Sequence, residues 1–231
     1  MNPLNLSFSY FGLGVFYLSM AIYSVCKNFS GSVNKAAALL GLSSSGWAFF
    51  TIGMIQAKDA GKALFWAKIF LGCVVFFPCF NLLFIYFFLS SISQTNLLKK
   101  KMLVISFILS CLFLISDITP LLLAGVSFRR EGFYFKDPGL LYHVFELYFL
   151  FIIFYSAWLF LKATQVTPKG SMQERQCLFL LLGLVISYLS GSTSYLLAYG
   201  QVSPKVVSWG NYGAVIYSIV VYFTIRNLKA T

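Results

Sequence analysis

The chain has 231 residues, 59% of them hydrophobic and only 10% charged, with a net charge of +11. Soluble domains carry about 25% charged residues, so an ordinary water-soluble domain is excluded. The basic balance reads as loop charge beside membrane spans, which argues against a nucleic-acid partner.

Seven apolar stretches run 7–26, 36–56, 63–90, 102–125, 139–161, 177–199 and 206–225. Each approaches or exceeds the roughly 20 residues that cross a hydrocarbon core. Lipid offers no hydrogen-bond partners, so each must close its own backbone as a helix. The expected fold class is all-α, an integral membrane seven-transmembrane helix bundle forming one domain over 1–231. The opening MNPLNLSFSYF has no Lys or Arg. It lacks the basic n-region of a signal peptide, so the first stretch is expected to be a retained span.

The breaks between stretches hold turn formers and charges: KNFSGSVNK, AKDAGK, SQTNLLKKK, SFRREGFYFKDPG, KATQVTPKGSMQER and GQVSPK. With the N-terminus outside, the inner side carries ten Lys and Arg, including the run Lys99, Lys100 and Lys101, against six on the outer side. The positive-inside rule then predicts N-out, C-in. Tyr10, Trp66, Tyr199 and Trp209 fall near span ends, as an interfacial aromatic belt would. Pro78 and Pro120 fall inside the third and fourth stretches and predict static bends. Small residues cluster in 41–50 and 190–200, where helices can approach closely. The five cysteines, Cys26, Cys73, Cys79, Cys111 and Cys177, form no CxxC pair. They read as small buried hydrophobes, with no metal site or disulfide.

Ionisable residues at membrane depth usually face the bundle interior or a wet cavity. At a rise of about 1.5 Å per residue, Lys68, Asp117, His143 and Glu146 lie about 6–12 Å below the outer surface. His143 and Glu146 share one helix face by their i, i+3 spacing. The reading is an outward-opening ligand pocket formed by Lys68, Asp117, His143 and Glu146, with Trp47 as an apolar wall. The structural alternative is snorkelling of Lys68 and His143 and pairing of the two carboxylates. Asn81 lies deeper and reads as an interhelical hydrogen bond. No GxSxG, HExxH or phosphate-binding glycine loop occurs. No catalytic residue, metal or cofactor is therefore expected, and an enzyme is not.

The seventh stretch, VVSWGNYGAVIYSIVVYFTIRN, has no Lys for a retinal Schiff base, which excludes a microbial rhodopsin. A closer likeness is carried by LLGLSSSGWAFFTIGMIQAKDAGKALFWAKIFLGCVVFFPCFNLLFIYFF, with Trp47, the run LFWAKIFLG and then Pro78. GFYFKDPGLLYHVFELYFL and the closing IRNLKAT continue it. This pattern, from about Ala36 to Asn227, resembles the seven-transmembrane N-terminal region of bacterial sensor histidine kinases and related diguanylate cyclases. The resemblance implies a sensor module in the bacterial inner membrane that passes a small-ligand or membrane cue to a cytoplasmic signalling output or partner. It also implies a homodimer. The chain ends shortly after the seventh stretch, so it is expected to be either the membrane part of a longer protein or a relative that signals through a partner. The competing reading is a small multi-pass transporter or a proton or solute pathway. Polar residues continuing through the inner half would favour that reading.

Overall fold

In the computed structural model, residues 3–92, 97, 99–129, 132–193, 196 and 204–227 are described, apart from the side chains of 3, 191, 204–210 and 214. The helices are α1 (Pro3–Lys27), α2 (Ser32–Ile55), α3 (Ala60–Val74), α4 (Phe77–Ser91), α5 (Lys100–Ser116), α6 (Leu140–Val166), α7 (Met172–Gly191) and α8 (Pro204–Asn227). Two strands, β1 (Leu123–Arg129) and β2 (Phe133–Pro138), stand between α5 and α6. Among the described residues, four helical segments are long and apolar enough to cross a membrane: Leu4–Lys27, Ser32–Ile55, Ala60–Ser91 and Leu140–Val166. Of the others, α5 has 17 residues, α7 has 20 and α8 has 24.

Packing runs around a ring: α1 on α2, α2 on α3 and α4, α4 on α6, α6 on α7, α7 on α8, and α8 back on α1. α5 stands outside this ring, touching α4 and α6. Its outward side chains Ile105, Phe107, Ile108 and Leu112 are exposed. The small residues of α2 permit its close approach to α1. A Cβ on Gly41 would sit 3.0 Å from the Tyr17 carbonyl oxygen, and the Ser45 hydroxyl donates to the Gly14 carbonyl at 3.0 Å.

The third apolar stretch is interrupted between α3 and α4, with Pro78 in the first turn of α4. Proline has no N–H to give and cannot continue a helical ladder from within. Carbonyls beside the break are taken up by neighbouring helices. Ser43 of α2 donates to the Cys73 carbonyl at 2.7 Å, and Ser110 of α5 donates to the Val75 carbonyl at 2.7 Å. Broken helices persist in lipid on this condition.

The fourth stretch departs from expectation. Helix α5 stops at Ser116, the segment 117–122 turns, and residues 123–125 already belong to β1. Pro120 thus follows the helix rather than bending it. The segment read as the following loop folds largely as an antiparallel hairpin, pairing Val126 with Lys136 and Phe128 with Tyr134. An all-α description therefore omits one element. Gly132, at φ +89°, closes the hairpin turn in a conformation that favours glycine. Asp137 accepts from Ser127 at 2.8 Å and pairs with Arg129 at 3.1 Å.

The hairpin packs on α2, α3 and α6, burying Leu123, Phe133 and Phe135. Its base also satisfies the start of α6. Gly139 N–H donates to the Leu122 carbonyl at 3.1 Å and Leu141 N–H to the Leu121 carbonyl at 2.8 Å. Such first-turn donors otherwise have no intrahelical partner. Tyr10 is buried edge-on against Trp47 rather than sitting at an interface, while Trp66 stacks on Phe50. Tyr199, the side chain of Trp209 and most of the cluster 190–200 lie outside what is described. Cys79 and Cys177 are buried as expected, but Cys26 is exposed.

Candidate functional site

A cavity of about 430 Å³ lies inside the ring, walled by α1, α2, α3, α4, α6, α7 and α8 and capped by β2. Its walls are aromatic, with Trp47, Phe70, Phe77, Phe145 and Phe149 among them. Hydroxyls reach it from Ser43 and Ser44 on α2, Ser187 on α7, and Tyr217 and Ser218 on α8. One end carries three ionisable side chains: Lys136, His143 and Glu146. His143 and Leu147 are exposed on α6 and also line the cavity, so its rim reaches the outer face of that helix.

Lys136 is the residue that sequence reasoning missed. Its place in the break SFRREGFYFKDPG predicts a solvated loop charge on the outer side, yet only 4% of it is exposed. The hairpin register holds it against the bundle. Its ammonium donates to the Tyr142 hydroxyl at 2.5 Å and lies 4.5 Å from the centroid of the Phe70 ring and 4.9 Å from that of Tyr142. Aromatic faces attract a cation through their quadrupole. Burial pushes the Lys136 ammonium down to about 8, while the charge of Glu146 pulls it upward. Tyr142 also hydrogen-bonds Glu146, one helical turn along α6. One hydroxyl therefore stands between a cation and a carboxylate that form no direct salt bridge. The ion pairs among the described residues are Lys62–Asp59 and Arg129–Asp137. FYFKDP runs three aromatics and then two charges, with no period-two alternation, so the sequence carried no strand signal that would bury Lys136.

The five residues expected at a pocket separate into two groups. Trp47, His143 and Glu146 line the cavity. Lys68 and Asp117 do not. Lys68 Nζ donates to the Ile118 carbonyl at 3.3 Å, where it also meets the field of Asp117, without a salt bridge to it. Asp117 follows the last residue of α5 and is 6% exposed, with its Oδ1 lacking a hydrogen-bond partner. A similar expected depth leaves the direction around each helix axis open, and that direction decides which of the four ionisable residues face the cavity.

Deeper in the bundle, Asn81 is spent on structure. Its amide donates to Ser156 of α6 at 3.0 Å, and its carbonyl oxygen accepts from Tyr217 of α8 at 2.8 Å. One and two turns beyond Asn81 along α4, Phe84 and Phe88 stack, and Phe88 meets Phe160 edge-on, all of them buried. At the far end, Lys27 of α1 donates to the carbonyls of Ile225 and Arg226, the last turn of α8. A basic side chain there answers the free carbonyls and the negative pole of the helix. A second cleft, of about 690 Å³, lies beside Asn28, Ser32, Phe87, Gln176 and Asn227.

No curated protein matches the chain. The family described as the N-terminal 7TM region of histidine kinase matches residues 9–230. With nearly the whole length covered, the chain belongs to the N-terminal 7TM regions of histidine kinases, membrane sensor regions of two-component signalling.

Proposed function

We propose that this region is a ligand-binding sensory input. Seven helical segments, with α3 and α4 counted as one, cross the bacterial inner membrane with the N-terminus outside and the C-terminus cytoplasmic. A small ligand enters the cavity, and the change passes along α8 to a cytoplasmic histidine-kinase output. The observation that carries the reading is the cavity itself, lined by Lys136, His143 and Glu146 and also by Tyr217 and Ser218 of α8. A ligand shifts a conformational equilibrium only by binding one arrangement better than another. Tyr217 belongs to α8, lines the cavity and is tied to Asn81, so any ligand that repacks Tyr217 acts on the helix leading out. Lys27 couples the end of α8 to α1. Two copies acting as a homodimer follow by family analogy.

The inner half favours this reading over a solute or proton pathway. Asn81 is already hydrogen-bonded on both sides, and Phe84, Phe88 and Phe160 fill the bundle beyond it. Catalysis is assigned to the output, as the family is a sensor region. The test joins the full chain in frame after Thr231 to a histidine-kinase output and measures autophosphorylation in membranes. Glu146→Gln should change the basal output while leaving membrane insertion intact. Unchanged output, or solute flux by the chain alone in proteoliposomes, would overturn the reading.

A further inference from the structure

The cavity also constrains what it can hold. We propose that it binds a compact zwitterion with an apolar body, the chemistry of an apolar or aromatic α-amino acid, with the ligand carboxylate on Lys136 and the ligand ammonium on Glu146. This rests on the sensor reading above and deepens it.

Three observations carry it. First, the site holds charges of both signs: Lys136 and Glu146 line it together, beside His143 and four tyrosines. In a low-dielectric interior an added net charge is penalised steeply. An anion or a cation alone would unbalance the pair, whereas a zwitterion would not. Second, both charges touch the same Tyr142 hydroxyl, so they stand one hydroxyl apart without pairing directly. That separation suits a ligand whose own opposite charges are separated by a single carbon. The ammonium of Lys136 has three donors and spends one of them on Tyr142. Its lowered proton affinity is what a buried cation without a full counter-ion displays, and a ligand carboxylate would supply one. Third, the walls fit an apolar body. Phe145 and Phe149, on the same helix as Glu146, line the space with Phe77 and Trp47. Aromatic faces next to a carboxylate suit an ammonium, and the volume lies within the range of small-molecule sites.

The test uses the whole chain in lipid nanodiscs and isothermal titration calorimetry. Four probes are compared on the unmodified protein: L-phenylalanine, N-acetyl-L-phenylalanine, phenethylamine and 3-phenylpropanol. L-phenylalanine should bind best, with each analogue weaker by about tenfold or more, since each loses a charge-assisted contact. Lys136→Met should abolish the preference over phenethylamine, and Glu146→Gln the preference over the N-acetyl compound. If 3-phenylpropanol or a singly charged probe binds as tightly as L-phenylalanine, the zwitterion assignment falls while the cavity remains a ligand site and the sensor reading stands. If none of the four binds, the assignment falls as well, and the kinase-output experiment separately decides the sensor reading.

Discussion

Under the proposed orientation, the outer half of the bundle, beside the hairpin, and the inner half, around Asn81, both place polar groups among helices, with opposite consequences. In the inner half, Asn81 meets Ser156 and Tyr217 in close packing. Each hydrogen bond joins two helices, and of the three residues only Tyr217 also borders the cavity. In the outer half, Lys136, Tyr142 and Glu146 form a similar chain, but it borders a cavity of about 430 Å³. Depth and polarity alone therefore do not mark a site. A polar group becomes available to a ligand where the packing beside it stops, and here the hairpin and the α3–α4 break frame that gap.

The comparison predicts unequal tolerance to truncation. Phe84→Ala, in the packed half, should cost about 3–5 kcal/mol of stability, the range for a buried ring that leaves a void. Phe77→Ala, on a wall already facing empty space, should lose distinctly less. Unfolding in detergent followed by circular dichroism measures both, and equal losses would erase the distinction between the halves.

The lid comes next in size. A Cβ on Gly139 would lie 2.3 Å from the Leu121 carbonyl oxygen and 2.6 Å from that of Pro120. Backbone there cannot swing aside, so Gly139→Ala should destabilise by about 1–3 kcal/mol. It should also loosen the hairpin, visible as faster proteolysis between Arg129 and Phe133. A silent substitution would mean that the hairpin is not anchored on the start of α6.

Tyr217→Phe removes one bond of the inner network. Interhelical hydrogen bonds in membranes average roughly 0.6 kcal/mol, so a loss of about that size is expected in the same unfolding assay. A loss as large as that of Phe84→Ala would show the network, rather than the rings, to hold the inner half.

Lys136→Met should have the smallest effect at neutral pH, because a well-shaped apolar replacement for a buried charge is often neutral. Its signature lies in pH. The native ammonium gives up its proton near 8, against an ordinary value of 10.5. Between those values the unfolded chain holds more protons than the native one, so stability rises with pH across that window. Below about pH 8 both states are protonated and the burial penalty is present in full. The difference between wild type and Lys136→Met should therefore shift in favour of wild type from about pH 8 to 10.5. A flat difference would show that Lys136 is not held in the buried position.

Much of the outcome was written in composition and spacing. The unbroken apolar runs of α1, α2 and α6 could become nothing but helices once their hydropathy put them in lipid, because only a helix satisfies its own backbone there. The Lys and Arg runs marked the breaks, and the aromatic and proline pattern around Trp47 and Pro78 pointed to the family. Tertiary structure decided the rest. Hydropathy does not distinguish the end of α5 from the hydrophobic turn and strand after it, so the fourth stretch looked longer than its helix. Depth along a chain also carries no azimuth: Lys68 and Asp117 share a layer with Glu146 yet face elsewhere. Lys136 reached the cavity because a strand folded back over the bundle, a contact that exists only once β1, β2, α3 and α6 are assembled.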